Sequence, residues 1–510
     1  MSDMKEMRQS LKADSAGLAV SAIEVARQNP TNTRGKAAMT IYAAIFVSFL
    51  CACANGYDGS LMTAVNGMPH YQARFTNSQV GATTGIIFAL YPVGSMVGSL
   101  VAAPISDIWG RRWGMFTGSV IIMIGSIIIS SSYHRPQFLV GRFILGFGVA
   151  ILTTGAPSYC IEICPPTWRG RATGFYNCGW YGGSIPAAAI TLGTNYIQSD
   201  ASWRVPFALQ CVPACIVAVT IFLLPESPRW LIANQKDDAA RSFLIDYHGN
   251  GNPNHPIVAA EWEEFRHDIQ TSGSDKRWWD FSGLYATKNA RWRTLMVIMM
   301  GVFGQFSGNG LGYYNLTIYS YVGYGHIVQF VLNLVNSIVA ALGSAAGVYV
   351  SDRFSRRKIL IIGTLCCAAF LAFNAGFTLA WGRAGDHPNL NIGRAAIAGY
   401  FLFNWMFGLT YTPLQALYPS ECLQTNSRAK GMAFYAFGVN AVGFINTYAI
   451  SIALNNIKYN TVWIFVGWDV VEAFLWYLFG VETVGKSLEE LEEIFSSPYP
   501  PRAHKRTNAA

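Results

Sequence analysis

Two charged side chains stand where their neighbours leave little place for water. Asp58 lies in "CACANGYDGSLMTAV" (Cys51–Val65) and Arg142 in "QFLVGRFILGFG", each inside a long apolar run. A lone charge in such surroundings is expensive, so the two are expected to pair. Beside a guanidinium the carboxylate form of an aspartate is favoured; once the two separate, burial favours the protonated acid. Making and breaking the pair is then a proton switch. The plainer reading is a buried pair that only locks its surroundings. Two further acids, Asp469 and Glu472, stand i,i+3 in "VGWDVVEAFLWY", and their sequence context suggests no role.

Neutral polar chemistry gathers in "GVFGQFSGNGLGYYNLTIY" (Gly301–Tyr319). Gln305, Asn309 and Tyr313 are spaced i, i+4, i+8 and share a helix face, with Tyr314 beside them. Amides hydrogen-bond hydroxyls and aromatic faces pack on rings, which is the chemistry a neutral, hydroxyl-rich ligand needs. Gly304, Gly308, Gly310 and Gly312 weaken the helix, as in a discontinuous membrane helix that bends around its ligand. Glycine-mediated packing with amides as glue is the competing reading. Asn440 is a further amide inside an apolar run.

The elements that must position these groups follow from composition. Of 510 residues, 52% are hydrophobic and only 13% charged, about half the charge a soluble protein carries. Apolar blocks of the length a bilayer requires recur along the chain. They predict twelve spans, near 40–65, 82–105, 113–131, 138–159, 172–196, 207–224, 295–319, 327–350, 359–381, 395–417, 431–453 and 462–480. The first starts too far in, and lacks a cleavage site, to read as a signal peptide. About 29 of the 36 Lys and Arg fall in the termini, the even-numbered loops and the central gap, which predicts cytoplasmic termini. That asymmetry accounts for the net charge of +8 without nucleic-acid binding. In this topology Asp58 and Arg142 lie at similar depth, roughly 12 and 9 Å from the outer ends of their helices.

The expected organisation is a cytoplasmic tail (1–38), a six-helix bundle (39–224), a cytoplasmic helical linker (225–293), a second six-helix bundle (294–480) and a cytoplasmic helix and tail (481–510). The halves repeat. "SDIWGRR" (Asp107, Arg111, Arg112) is echoed by "SDRFSRR" (Asp352, Arg356, Arg357), "EICPPTWRGR" (Glu162, Arg169) by "ECLQTNSRAK" (Glu421, Arg428), and "PES" (Glu226, followed by Arg229) by "VET" (Glu482). Arg–carboxylate pairs fix geometry as well as charge. Such clusters at the cytoplasmic helix ends suit a conformational latch between the bundles, although single surface pairs are worth only ~0–1 kcal/mol. Cys160/Cys164 and Cys211/Cys215 have i,i+4 spacing but no supporting ligand cluster, and read as small packing residues rather than a metal site.

Taken together, "SDIWGRR", "GRFILGFGVA", "PSYCIEICPPTWRGR", "LLPESPRWL", "YPSECLQTNSRAKGMA" and "VETVGKSLEELEEIF" resemble the sugar porter family of the major facilitator superfamily, from about Gly56 to Phe495. The central insert is similar to that of the fungal lactose-permease-like branch. The resemblance implies an all-α membrane fold of two pseudo-symmetric bundles working by alternating access, with a carbohydrate and protons as ligands. "GYD" stands where proton-coupled members carry their coupling acid. Counting from Arg169, Asn177 falls where the family has a sugar-binding glutamine, followed by Trp180 and Tyr181. In the tenth helix the family's tryptophan is replaced by Ala416, preceded by Gln415. In the seventh, Gly304 stands where the first glutamine of a pair is expected, Asn309 comes one place early and the Tyr313–Tyr314 pair is also early.

The expectation is thus a proton-coupled importer of a mono- or disaccharide in a fungal plasma membrane, functionally monomeric, with no cofactor. The alternative is a facilitator, or an exporter of a sugar-like metabolite. No phosphate-cradling loop for ATP and no catalytic constellation is present, so a gradient must supply the energy. A non-transporting sensor is disfavoured by the short segment after Phe495. The formal glycosylation sequon Asn315–Thr317 is not expected to be used.

Overall fold

In the computed structural model, which describes residues 22, 24–272, 281–351, 353–384, 389–424, 428–484, 486 and 488–503, every regular element is a helix. The long ones are α1 (Lys36–Val65), α2 (Ala82–Ile108), α3 (Arg111–Ser130), α4 (Arg135–Glu162), α5 (Arg169–Thr194), α6 (Ala201–Leu223), α7 (Lys288–Tyr321), α8 (His326–Ser351), α9 (Arg356–Arg383), α10 (Leu390–Cys422), α11 (Arg428–Ile457) and α12 (Thr461–Phe479). Among the described residues nine stretches are long and apolar enough to cross a membrane on composition alone, one of them holding both α11 and α12. Hydropathy misses α5 and α10, whose apolar runs are diluted by Gly, Asn, Trp and Tyr. Of these, Trp180, Tyr181 and Asn404 face polar space inside the fold.

The two halves pack alike. α2 lies on α4 and α3 on α4, as α8 lies on α10 and α9 on α10. Close approach is possible because glycines stand at the crossings. A Cβ on Gly94 or Gly146 would strike the backbone carbonyl of Phe143 or Tyr91; one on Gly343 or Gly347 would strike that of Trp405 or Leu409. Between the halves, α2 meets α11 and α5 meets α8, contacts that exchange under the two-fold relating the repeats.

Two helices are interrupted. α6 is broken at Gln210. α7 runs as an α-helix to Phe306, turns at Gly308 with φ +84°, continues as a 3₁₀ helix over Asn309–Tyr314 and resumes as α-helix over Asn315–Tyr321. The left-handed turn explains the glycine there. Gln305, Asn309 and Tyr313 are therefore not on one continuous helix face; a break between the first and second carries them.

Short helices Pro228–Ala233, Asp237–Phe243 and Pro256–Ser272 form the insert between the halves. The insert docks on the ends of α2 and α4: Trp230 Nε1 donates to the Asp107 carbonyl (2.9 Å), and His248 Nε2 bonds the Ile163 carbonyl (3.1 Å).

Candidate functional site

A cavity of about 340 Å³ lies between the halves, within the range of small-molecule sites. Its wall carries ten amides. Nine come from the second half: Gln305, Asn309 and Asn315 on α7, Asn333 and Asn336 on α8, Asn404 and Gln415 on α10, and Asn440 and Asn446 on α11. The first half supplies Asn55, with the rings of Tyr91, Trp180 and Tyr181. Among the described residues no ionisable acid, lysine, arginine or histidine lines it.

Several amides are held in place from behind. Asn446 donates to the Gln305 carbonyl (2.7 Å), Asn404 to the Tyr400 carbonyl (2.9 Å), and Asn440 to the Ala436 carbonyl (2.9 Å). Asn309 Nδ2 lies 3.4 Å from Gln305 Oε1. Asn336 is different: its Oδ1 is buried and accepts no hydrogen bond. An orphaned acceptor on a cavity wall is costly unless a ligand or water donates to it.

Of the residues singled out from sequence, Gln305, Asn309, Tyr313, Gln415 and Asn440 line the cavity. Two do not. Tyr314 is turned into the core, where its hydroxyl donates to the Thr447 carbonyl (2.9 Å) and its ring packs on Phe88. Asn177 is exposed and off the wall, one turn before Trp180 and Tyr181, which do line it. Asn315 is buried, bonding Asn333 (3.0 Å) and Tyr400 (2.6 Å), which leaves its sequon inside the protein. Sequence reading missed Asn55, Asn315, Asn333, Asn336, Asn404 and Asn446 as wall residues. Their signal was a run of amides inside predicted spans, where polar groups are expensive.

The two departures in α7 and α10 prove to be one arrangement. Gln415 Nε2 donates to the Gly304 carbonyl (3.3 Å), and a Cβ added at Gly304 would lie 2.7 Å from that nitrogen. The amide of α10 occupies the space beside Gly304 that a side chain there would enter.

Behind Tyr91 sits the ion pair. Arg142 Nη1 donates to Asp58 Oδ1 at 2.7 Å, with both side chains about 2% exposed. Gln210, at the break of α6, donates to the same oxygen (3.1 Å). The Arg142 guanidinium lies 5.0 Å from the centre of the Tyr91 ring, and the Tyr91 hydroxyl donates to Asn55 (3.0 Å). One aromatic ring thus separates the buried charges from the cavity.

At the insert face the repeated motifs form matching clusters. Arg111 grips Glu162 with two nitrogens (3.1 and 3.3 Å) and also Asp107 (2.7 Å); Arg356 grips Glu421 the same way (2.8 and 2.7 Å). Glu226 accepts from the Arg112 amide (3.3 Å), and Glu482 from the amides of Arg356 (3.0 Å) and Arg357 (3.3 Å). Burial pushes the Glu226 carboxyl above its ordinary range, with the Ser227 and Arg112 amides pulling it back. Arg169 reaches Glu261 (2.9 Å) and Glu264 (3.2 Å) of the insert, and Arg229 also reaches Glu264 (3.3 Å). Asp352 and the Arg428 side chain lie outside the described residues. Each of these pairs joins elements of one half or ties the first half to the insert. Among the described residues they form no bridge from bundle to bundle in this conformation.

The halves instead meet at the opposite face. Gly81 and Ser451 exchange hydrogen bonds (3.1 and 2.9 Å), Thr317 donates to Gln79 (3.0 Å), and Thr63 bonds the Gly312 carbonyl (3.3 Å). His326 spans Gly67 and Asn195, with Nε2 3.0 Å from the Gly67 carbonyl.

Two six-helix repeats around a central polar cavity define a membrane carrier. The chain belongs to the sugar (and other) transporter family, which it matches over residues 43–495. It is 29% identical over 446 residues to the MFS-type transporter criB of Aspergillus cristatus, covering 86% of this chain and 90% of that one. To a high-affinity glucose transporter of Kluyveromyces lactis it is 28% identical over 482 residues, covering 90% and 86%. Its fold is that of XylE from E. coli, a major facilitator superfamily proton:xylose symporter solved with 6-bromo-6-deoxy-D-glucose. The TM-score is 0.71 at 20% identity, covering 90% of this chain and 99% of that one.

Proposed function

We propose that this protein carries a neutral mono- or disaccharide across the membrane by alternating access, driven by protons. The observation that carries the substrate class is the wall of ten amides without an ionisable acid or base, with the Asn336 acceptor unmet. Hydroxyl groups both donate and accept, so a sugar satisfies amide carbonyls and amide N–H groups alike. An anionic or cationic cargo would enter this wall without a counter-charge. The glucose transporter relatives and the proton:xylose symporter of the same fold support the same class.

Asp58 is the proton carrier in this reading, and Arg142 its counter-ion. Substrate pressing on Tyr91 or Asn55 bears on the ring that covers the guanidinium, which links occupancy of the cavity to the ion pair. The insert and both termini face the cytoplasm of a plasma-membrane carrier acting as a monomer, with domain limits as expected from sequence. The seal opposite the insert then makes this the inward-facing state, and the clusters of Arg111, Arg356 and their acids would engage across the halves only when the outside opens.

The test is uptake of labelled sugars by transporter-deficient cells, with and without a protonophore. Acid-stimulated, protonophore-sensitive accumulation is expected. Asp58→Asn should abolish accumulation while retaining exchange down a gradient; accumulation that survives in that variant overturns the coupling role.

A further inference from the structure

Asp469 and Glu472 of α12 belong neither to the cavity wall nor to the Asp58–Arg142 pair. Both are 0% exposed, one turn apart, and close enough for their charges to interact. The Ser307 hydroxyl at the α7 break lies between Glu472 Oε1 (3.0 Å) and the Phe303 carbonyl (2.5 Å), and Glu472 Oε1 also accepts from the Tyr411 hydroxyl of α10. That tyrosine also meets Thr364 of α9 at 2.7 Å. Glu472 Oε2 and both Asp469 oxygens have no hydrogen-bond partner.

Among the described residues no basic side chain on the surrounding helices pairs with either carboxyl. The titratable groups that face the pair are Cys367 of α9 and Tyr411 of α10, with Tyr418 on Trp476 one turn further along α12. From α7 come Phe303, Phe306 and Ser307, against Trp468 and Glu472. The basic residues of α7, α9 and α10 lie in terminal turns, α12 has none, and Lys458, in the connection from α11, is exposed. Two desolvated carboxylates side by side repel each other and lack hydration; neutral carboxylic acids suit the same space.

We propose that Asp469 and Glu472 form a second proton-binding site, in the C-terminal half, whose occupancy sets the hydrogen bonds that hold the break of α7. The geometry gives the link. Ser307 immediately precedes Gly308, and beyond that turn Asn309, Gly312 and Tyr313 face the cavity. An ionised Glu472 draws the Ser307 and Tyr411 hydroxyls onto itself as an acceptor. Once protonated it accepts more weakly and must itself find an acceptor, so the single Ser307 proton, shared in this structure between Glu472 Oε1 and the Phe303 carbonyl, is left to that carbonyl alone. A proton entering behind α7 thereby loosens the turn that presents Asn309 and Tyr313 in front. The inference does not require Asp58 to be the coupling acid, and its test needs neither substrate nor transport.

The test is infrared spectroscopy of the purified protein in lipid nanodiscs at neutral pH, reading the C=O stretch of protonated carboxyl groups. The band should be lost in Asp469→Asn/Glu472→Gln and retained in Asp58→Asn. An unchanged band in the double variant overturns the site. Should that variant fail to fold, Ser307→Ala and Tyr411→Phe leave both acids in place and should shift the band's frequency; no shift in either overturns the hydrogen-bonding scheme. Hydrogen exchange of residues 303–314, corrected for intrinsic rates, should depend on pH in the wild type and not in Ser307→Ala. The same pH dependence in both overturns the link to α7.

Discussion

Cutting the Asp58–Arg142 pair from either side should not have the same effect. Asp58→Asn strands a guanidinium that is 2% exposed, that has no partner at Nε, and that does not give up its proton in proteins. The Tyr91 ring offsets nothing, because it already faces Arg142 in the intact pair. Breaking a buried pair in this way costs about 3–5 kcal/mol at any pH between 5 and 8. Arg142→Gln strands the acid instead, but Asp58 keeps its bond from Gln210 and can take up a proton. A folded state that holds a proton which the unfolded chain has released loses stability as pH rises, by about 1.4 kcal/mol per unit. Arg142→Gln should therefore come nearest to the wild type close to pH 4, be down by about 1.5 kcal/mol at pH 5 and fall further above it. The double variant Asp58→Asn/Arg142→Gln, with no charge left, should recover most of the loss. Denaturant unfolding in detergent, followed by tryptophan fluorescence at several pH values, measures all three. Equal, pH-independent losses in the two single variants, or a double variant as unstable as their sum, would refute the reasoning.

Three further outcomes are expected. Asn336→Ala should weaken transport of the best substrate in the sugar panel about tenfold, the value of one to two hydrogen bonds, while Asn177→Ala leaves its KM unchanged; radiolabelled uptake kinetics decide. Arg356→Lys loses the two-pronged grip on Glu421 and should lower stability by about 2 kcal/mol, whereas Arg266→Lys, in an exposed pair with Asp237, should change it by less than ~1 kcal/mol, both read by denaturant unfolding. His326→Ala removes the ring that spans Gly67 and Asn195 and should raise labelling of a Gly312→Cys probe by a membrane-impermeant maleimide, relative to the same variant without the probe.

Much of the architecture was legible because the bilayer imposes it. Span length, the Lys/Arg asymmetry and the echoed motifs follow from solvation and repetition, and they place Asp58 and Arg142 at one depth. What joins them laterally was not legible: Gln210 is a single amide in an apolar run, and nothing in its neighbours points to Asp58. Tyr313 and Tyr314 show the limit of helix periodicity. A face computed at 3.6 residues per turn fails across the Gly308 turn, and only one of the two adjacent tyrosines meets the cavity. Arg169 was expected to serve the contact between bundles, yet its carboxylates, Glu261 and Glu264, come from the insert, nearly a hundred residues on. Charge complementarity alone could not choose among so many acids.

The exchange between Gly304 and Gln415 constrains how this pocket can change. A side chain added at position 304 would meet the far end of Gln415, which would have to swing away, and Gln415 lost alone would leave an empty corner beside the Gly304 carbonyl. Changing either position alters what the other meets, so their effects on the pocket do not simply add. The specificity of this pocket is then a joint property of α7 and α10, which no single substitution at either position reads out alone.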